Sequence, residues 1–260
     1  MKSVISWNVN GIRAIEKKGF LDWLSAESPD ILCLQETKAH KGQLNAELVT
    51  PVLPGGTWKS WWSSAKKAGY SGTVIYSKTE PLDIRTMGYP EFDDEGRVVI
   101  AEFSEAVIIS AYFPNSQEAG ARLGYKLEFC AAMKETCDRL VTEGKNIILC
   151  GDYNIAHKAI DLANPSRNEG NPGYLPEERA WMDTFTEAGY VDTFRAFCKD
   201  PGQYTWWSYR FKAREKNIGW RIDYTCVNPA FMPRVTSSTI LSDVTGSDHC
   251  PVKLTYAHQI

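Results

Sequence analysis

The sequence has no apolar run near the roughly 20 residues that a membrane-spanning helix needs. Its opening stretch, Met1 to Trp7, turns polar at Asn8, too soon for a signal-peptide core. An intracellular protein with no membrane partner is expected. The chain also lacks an excess of either charge. Lys and Arg number 29 and Asp and Glu 32, a net charge of −3, so a histone-like arm or an acidic tail is excluded. Any affinity for a polyanion must then be local. The seven cysteines are odd in number and form no C-x-x-C pair. Reduced core thiols are expected rather than a zinc site or a disulfide framework. Of only four histidines, His40 and His258 have no metal-like spacing, which argues against a histidine-built zinc site. No linker, repeat or low-complexity tract interrupts the 260 residues, so 1–260 reads as a single domain. The loosest segment, Asn164 to Gly173, reads as a functional loop rather than a domain boundary.

What the chain does have is short, β-branched apolar runs. They are Val4–Trp7, Ile31–Leu34, Thr73–Tyr76, Val98–Phe103, Val107–Phe113, Ile147–Cys150, Ile222–Val227 and Val252–Tyr256. Each has strand length and ends in turn residues or charge. Leu123, Leu127, Cys130, Met133, Cys137 and Leu140 recur at helical spacing. A second helix opens at Pro176-Glu177-Glu178, buries Trp181 and Phe185, and stops at Gly189. A third covers Lys18 to Ser25. Strands outnumber helices and often follow one another directly, which predicts sheets packed on each other with helices outside.

Polar residues collect where these strands run out. Asn8 and Asn10 follow the first, Gln35 and Glu36 the second. Tyr112 and Asn115 end another, and Asp152 and Asn154 follow Cys150. Asp223 sits between apolar neighbours, and Ser247, Asp248 and His249 precede the last strand. Singly, each fits an Asx turn or a cap. Together they predict an active site at one end of the sheets. Glu36 follows an apolar run with few cations near it in sequence, where an unpaired carboxylate is costly to bury. A hard cation would relieve that cost, and oxygen donors suit Mg²⁺, with Mn²⁺ as a substitute. His249 needs a carboxylate to fix its tautomer, and Asp223 is the candidate. A His–Asp pair beside a hard cation, with no serine elbow, suits phosphoryl chemistry.

A second feature lies between Tyr204 and Arg221. Those 18 residues hold five basic side chains, one acid and six aromatics, a local charge of +4. Interleaved rings and cations suit a nucleic-acid surface. The competing reading is a hairpin with a charged outer face. Arg210, Lys212, Arg214 and Lys216 are the expected phosphate contacts.

The motifs resemble those of the exonuclease III family of abasic-site endonucleases, within the deoxyribonuclease I-like superfamily. They are Trp7 to Arg13, Leu34 to Lys38, Tyr112 to Asn115, Gly151 to His157, Asn217 to Tyr224 and Gly246 to Pro251, in the family's order across nearly the whole chain. The resemblance implies an α/β fold, a four-layer α/β sandwich with two face-to-face mixed β-sheets flanked by helices. It implies hydrolysis of the phosphodiester 5′ to an abasic site in duplex DNA, with trimming of blocked 3′ ends or 3′–5′ exonuclease activity. A monomer in the cytoplasm of a bacterial or archaeal cell, nucleoid-associated by function, is expected. Carried over by position, Glu36 is the main metal ligand, with Asn8, Asn10 and Asp248 close by and Asp152 and Asn154 bordering the same site. Asp152 aligns or deprotonates the attacking water, held by Asn154. Asp223 orients His249, which meets the scissile phosphate. Tyr112, Asn115, Asn168 and Asn171 are further phosphate or substrate ligands. Trp206, Trp220 and Ile222 wall the pocket for the flipped sugar.

Some positions depart from the animal members of the family. Asn10 replaces an aspartate and removes a possible anionic ligand. Glu118 replaces an arginine that enters the DNA. Trp206 replaces a phenylalanine. Ile5 replaces a cysteine linked to a redox role, and a long N-terminal extension is missing, so a repair enzyme without that second activity is expected. Two rival readings stand. Another phosphodiesterase or phosphatase of the superfamily shares the Glu, Asp and His core without needing the basic aromatic stretch. A non-catalytic DNA-binding module keeps the fold without needing the complete core.

Overall fold

Side chains alternate between the two faces of a strand, and most strands in the middle of this protein are apolar on both. Such strands must be covered on both sides, and the computed structural model, which describes residues 1–258, shows how. One six-stranded sheet has the spatial order β13 (Val235–Ile240), β14 (Val252–Tyr256), β1 (Lys2–Asn8), β2 (Ile31–Gln35), β6 (Thr73–Ser77) and β5 (Lys59–Ser63). The other has the order β11 (Val191–Asp192), β12 (Asp223–Val227), β10 (Ile147–Asp152), β9 (Val107–Tyr112), β8 (Val98–Glu102) and β7 (Asp83–Arg85). A small separate hairpin joins β3 (Val52–Leu53) and β4 (Gly56–Thr57). Both large sheets are mixed. Each has one central parallel pair, β1 with β2 and β9 with β10, flanked by antiparallel neighbours.

Three apolar layers follow from the alternation. Val4, Ile31, Cys33, Ile75, Val99, Ile108, Ile148, Cys150 and Val227 pack between the sheets. Their strand neighbours Ile5, Trp7, Leu32, Leu34 and Val74 face outward onto Ile12, Phe20 and Leu24 of the flanking helices. On the opposite side Ile100, Ile109, Ile147 and Leu149 meet Phe129, Met133, Met182 and Phe185 of the helices Leu123–Thr142 and Pro176–Glu187. Helix, sheet, sheet, helix is the expected four-layer sandwich. The third expected helix lies at Phe20–Glu27. All eight expected strands are present, Val252–Tyr256 with the ends expected and the others with shifted ends, and Ile222 falls just outside β12.

The long helix carries one correction. Leu123 and Leu127 are only half-buried, and the inward stripe runs instead through Lys126, Phe129, Cys130, Met133, Cys137 and Leu140. All seven cysteines are free, six of them buried. No helix among the described residues is long and apolar enough to cross a membrane.

The two parallel pairs point their C-terminal ends the same way. Asn8 ends β1, Glu36 follows β2, Tyr112 ends β9 and Asp152 ends β10. The antiparallel neighbours start at that rim. Asp223 pairs with Asp152 in register, and His249 lies three residues before β14. Gly151 is needed here for space. Its φ is +149°, and a Cβ would sit 1.8 Å from the Ala111 carbonyl oxygen, so only glycine lets β9 and β10 close up beside the site.

Candidate active site

The open end of the inter-sheet layer is where its lining turns from apolar to polar. Following the inward positions of β1 gives Val4, Ser6 and Asn8, and following β10 gives Ile148, Cys150 and Asp152. Gln35 donates to Ser6 Oγ at 3.0 Å and to Ser110 Oγ at 3.2 Å, so a buried polar floor bridges the sheets beneath the site.

Above it the acids and amides interlock. His249 Nδ1 lies 2.9 Å from Asp223 Oδ2, and its Nε2 faces Asp152 Oδ2 at 3.8 Å. Asp152 accepts from the Asn154 backbone N–H at 2.8 Å, from Asn154 Nδ2 at 3.3 Å and from Asn8 Nδ2 at 2.9 Å. Tyr112 donates its hydroxyl to Glu36 Oε1 at 2.5 Å. Asn115 donates to Asn154 Oδ1 at 3.1 Å. Asp248 accepts from Asn10 Nδ2 at 3.0 Å and from the Trp206 indole N–H at 3.1 Å. Together with Trp220, Ile222, Pro172 and Gly173, the residues Glu36, Tyr112, Asn115, Asp152, Asn154, Trp206, Asp248 and His249 line an open cavity of about 220 Å³.

Burial and neighbours set the charges. Burial alone would drive His249 neutral, but the carboxylates of Asp223 and Asp152 outweigh it and push the imidazole up to about 10. Burial raises Asp152 to about 7, reinforced by Asp223 and opposed by His249 and the Asn154 N–H. Burial likewise works to raise Glu36, yet Lys38 and the Tyr112 hydroxyl hold it below the usual range. Burial and the Glu36 and Asp152 charges push Tyr112 well above the ordinary phenol, so it stays protonated and can donate.

Lys38 was missed as a partner, and it corrects the expectation that Glu36 has few cations at hand. Its Nζ lies 2.8 Å from Glu36 Oε2 and it also donates to Asn10 Oδ1. The signal was in the sequence: a lysine two residues beyond an acid at a strand end. Even so, among the described residues the carboxylates of Glu36, Asp152, Asp223 and Asp248 meet only two cations, Lys38 and His249. With all four ionised, two negative charges remain uncompensated, and the donors are hard oxygens. That fits a divalent cation. Asp152, Asp223 and His249 place ligand atoms within 4.8 Å of one another. The Asp223–His249 hydrogen bond already spends the Nδ1 of that set, and the carboxylates of Glu36 and Asp248 line the same cavity. Asn8 turns its NH₂ to Glu36 and Asp152 while its oxygen accepts from the Asn10 N–H. In this arrangement it spaces the carboxylates.

The remaining expected contacts are spread along the rim. Asn168, Arg167, Arg210, Phe211 and Lys216 line a second hollow that shares the Trp206–Trp220 wall with the first. Asn171 is exposed and donates to Asn168 Oδ1, and neither it nor Asn168 reaches the catalytic cavity. The two tryptophans meet edge to face, ring centres 6.3 Å apart. Of the five cations between Tyr204 and Arg221, two serve the fold. Arg214 donates to the carbonyls of Ser242, Val244 and Ser247 and stacks over Trp207, which corrects its expected role as a phosphate contact. Arg221 is buried against Asp161 and Asp192. Arg210, Lys212 and Lys216 are exposed, as are Tyr209 and Phe211. The segment is a loop held by the Trp206–Trp220 bridge rather than a hairpin with a charged outer face.

The chain is similar to known proteins over nearly its whole length. The sequence profile of the Endonuclease/Exonuclease/phosphatase family matches residues 5–249. The chain is 44% identical over 254 residues to an exodeoxyribonuclease of Bacillus subtilis, covering 96% of this chain and 98% of that one. It is 43% identical over 253 residues to the DNA repair nuclease APEX1 of Danio rerio, covering 96% and 81%. Among solved structures, an AP endonuclease from Leishmania major superposes with a TM-score of 0.86 at 30% identity, over 99% of this chain and 88% of that one. A 3′ phosphatase from Neisseria, bound to a product DNA hairpin, gives 0.86 at 26% identity, over 99% and 100%.

Proposed function

Because the chain belongs to the Endonuclease/Exonuclease/phosphatase family, we propose that it is a DNA repair nuclease. Its substrate is duplex DNA with an abasic site, cut at the phosphodiester 5′ to the lesion, and it also trims 3′ ends. The observation that carries this reading is the joining of a phosphoryl-transfer constellation to a small tryptophan-walled cavity. At about 220 Å³ the cavity is below the roughly 300–1,000 Å³ of ordinary ligand clefts. That size suits a sugar phosphate without its base. The exodeoxyribonuclease, DNA repair nuclease and 3′ phosphatase names of the relatives support both activities.

The residues divide the work. Asp223 holds the Nδ1 proton of His249, which leaves Nε2–H aimed into the cavity. The imidazolium opposes charge that develops on a phosphate oxygen. Asp152, raised to about 7 and gripped by Asn8 and Asn154, is poised to take the proton of an attacking water at neutral pH. The protonated Tyr112 and the Asn115 amide are donors for the remaining phosphate oxygens. Glu36, with Asp248 at the same cavity, would hold Mg²⁺, which would supply charge neutralisation at the phosphate. A base still attached to the sugar would meet Trp206, Trp220 and Ile222, so intact nucleotides are excluded by size. An abasic nucleotide also has no base to unstack, which lowers the cost of flipping it. Incision of a duplex carrying one abasic analogue, with and without Mg²⁺, tests the reading. Absence of metal-dependent incision at the analogue would refute it.

A further inference from the structure

The inward stripe of the helix Leu123–Thr142 contains a lysine. Lys126 is fully buried, and so is its partner Glu178, in the first turn of Pro176–Glu187. Taking both charges out of water is costly, and well-packed apolar residues often do as well for stability. What this pair does is aim three loops at once. Lys126 Nζ donates to Glu178 Oε1 at 2.6 Å and to the backbone carbonyl of Asn154 at 2.6 Å. Glu178 also accepts from the Ser116 hydroxyl, next to Asn115, and from the Leu175 N–H at 2.9 Å, at the end of the loop that carries Pro172 and Gly173.

Asn154 is the residue that needs aiming. It adopts a left-handed backbone, φ +52°, uncommon for residues other than glycine though asparagine enters it more readily than most. That conformation turns its N–H onto Asp152 Oδ1 and its carbonyl away from the cavity onto Lys126. Without Lys126 the carbonyl is a buried acceptor without its cationic donor. The 154–155 peptide, which carries that carbonyl, then gains by rotating, and the left-handed turn at Asn154 that directs its N–H and side-chain amide onto Asp152 relaxes with it. We propose that Lys126, through its ion pair with Glu178, is a positioning residue that fixes the orientation of Asp152 through the Asn154 backbone. This inference rests on the functional reading above.

The test uses the double variant Lys126→Met with Glu178→Gln. It removes both charges together, and the glutamine keeps a carbonyl acceptor for Ser116 or Leu175. Steady-state and single-turnover incision of an abasic duplex would be measured beside the unmodified protein, with thermal unfolding as a control. The expected result is a folded variant with KM within about twofold and kcat lower by roughly 10–100-fold, the scale of a misplaced catalytic group. Lys126→Arg keeps a charge and a donor for the Asn154 carbonyl, and should hold kcat within about fivefold. A folded double variant with unchanged kcat overturns the proposal, and so does a rise in KM alone. A double variant that does not fold also overturns it, because the pair then serves stability. Failure of the unmodified protein to incise is a different result: it refutes the functional reading itself.

Discussion

Replacing Asp223 by Asn should move the alkaline limit of activity by about three pH units. The carboxylate lies 2.9 Å from His249 Nδ1 and both groups are buried. A unit charge at about 4 Å in an effective dielectric of about 20 is worth about 4 kcal/mol, or about three factors of ten in proton affinity. Subtracting that from about 10 places the imidazole of the variant near 7. The sign is fixed by the chemistry. In the proposed mechanism His249 works as a cation, so the unmodified enzyme should keep it working until pH approaches 10, whereas the variant should lose it above neutrality. Asp152 moves the other way. It is raised mainly by burial but also by Asp223, so its acidic limit falls when that charge is removed. The optimum of the variant should therefore shift toward acid. At pH 9 it should be slower by about 10²-fold from protonation alone, and at pH 6 most of that deficit should vanish. Single-turnover incision of an abasic duplex between pH 5.5 and 9.5 at saturating Mg²⁺ reads both limbs. An alkaline limb at the same pH in both proteins would show that Asp223 does not set the charge of His249.

Other perturbations separate the remaining roles. Glu36→Gln should raise the Mg²⁺ concentration for half-maximal rate by at least about tenfold, and chelation should abolish incision by the unmodified protein; unchanged rates in excess chelator refute the metal assignment. Trp220→Ala and Trp206→Ala should each lower the ratio of abasic to intact cleavage, and an unchanged ratio in folded variants would remove these rings from discrimination. Arg210→Ala or Lys216→Ala should weaken binding to any duplex and lower the salt slope by about 0.9 for each true phosphate contact. Arg214→Ala, whose guanidinium is spent on three carbonyls, should leave that slope alone and loosen the loop before His249.

Which strands were legible follows from where they lie. The eight runs read from the sequence are β1, β2, β6, β8, β9, β10, β12 and β14, which fill the middle of the two sheets. The four sheet strands that went unread are β13, β5, β11 and β7, and these are the four edges. An edge strand has one neighbour and need not be apolar on both faces. Accordingly β13 reads Val-Thr-Ser-Ser-Thr-Ile with exposed Thr236 and Thr239, and β7 and β11 are three and two residues long. An apolar-run criterion finds interior strands and passes over edges for a physical reason.

The site was legible in kind but not in wiring. Strand ends gave Asn8, Glu36, Tyr112, Asp152, Asp223 and His249, and the structure brings them to one rim. Lys38 and Lys126 went unassigned because a lysine's default reading is solvated surface. For Lys126 the leucine spacing places the helical stripe one step around, through Leu123 and Leu127. The structure turns that stripe inward through a cation instead. Alternation would have supplied more. Val4, Ser6 and Asn8 have one parity, as do Ile148, Cys150 and Asp152, Ile108, Ser110 and Tyr112, and Val227, Thr225 and Asp223. On each strand the position that is apolar at depth becomes polar at the rim. A carboxylate at such a position continues the buried layer, so it is desolvated by its place in the fold before any neighbour acts on it. That is why burial is the leading cause raising Asp152 to about 7, with Asp223 adding to it. It follows that moving the carboxylate one place along β10, Asp152→Gly with Gly151→Asp, should abolish incision. The acid would then face outward, away from His249, and its Cβ would meet the Ala111 carbonyl of β9.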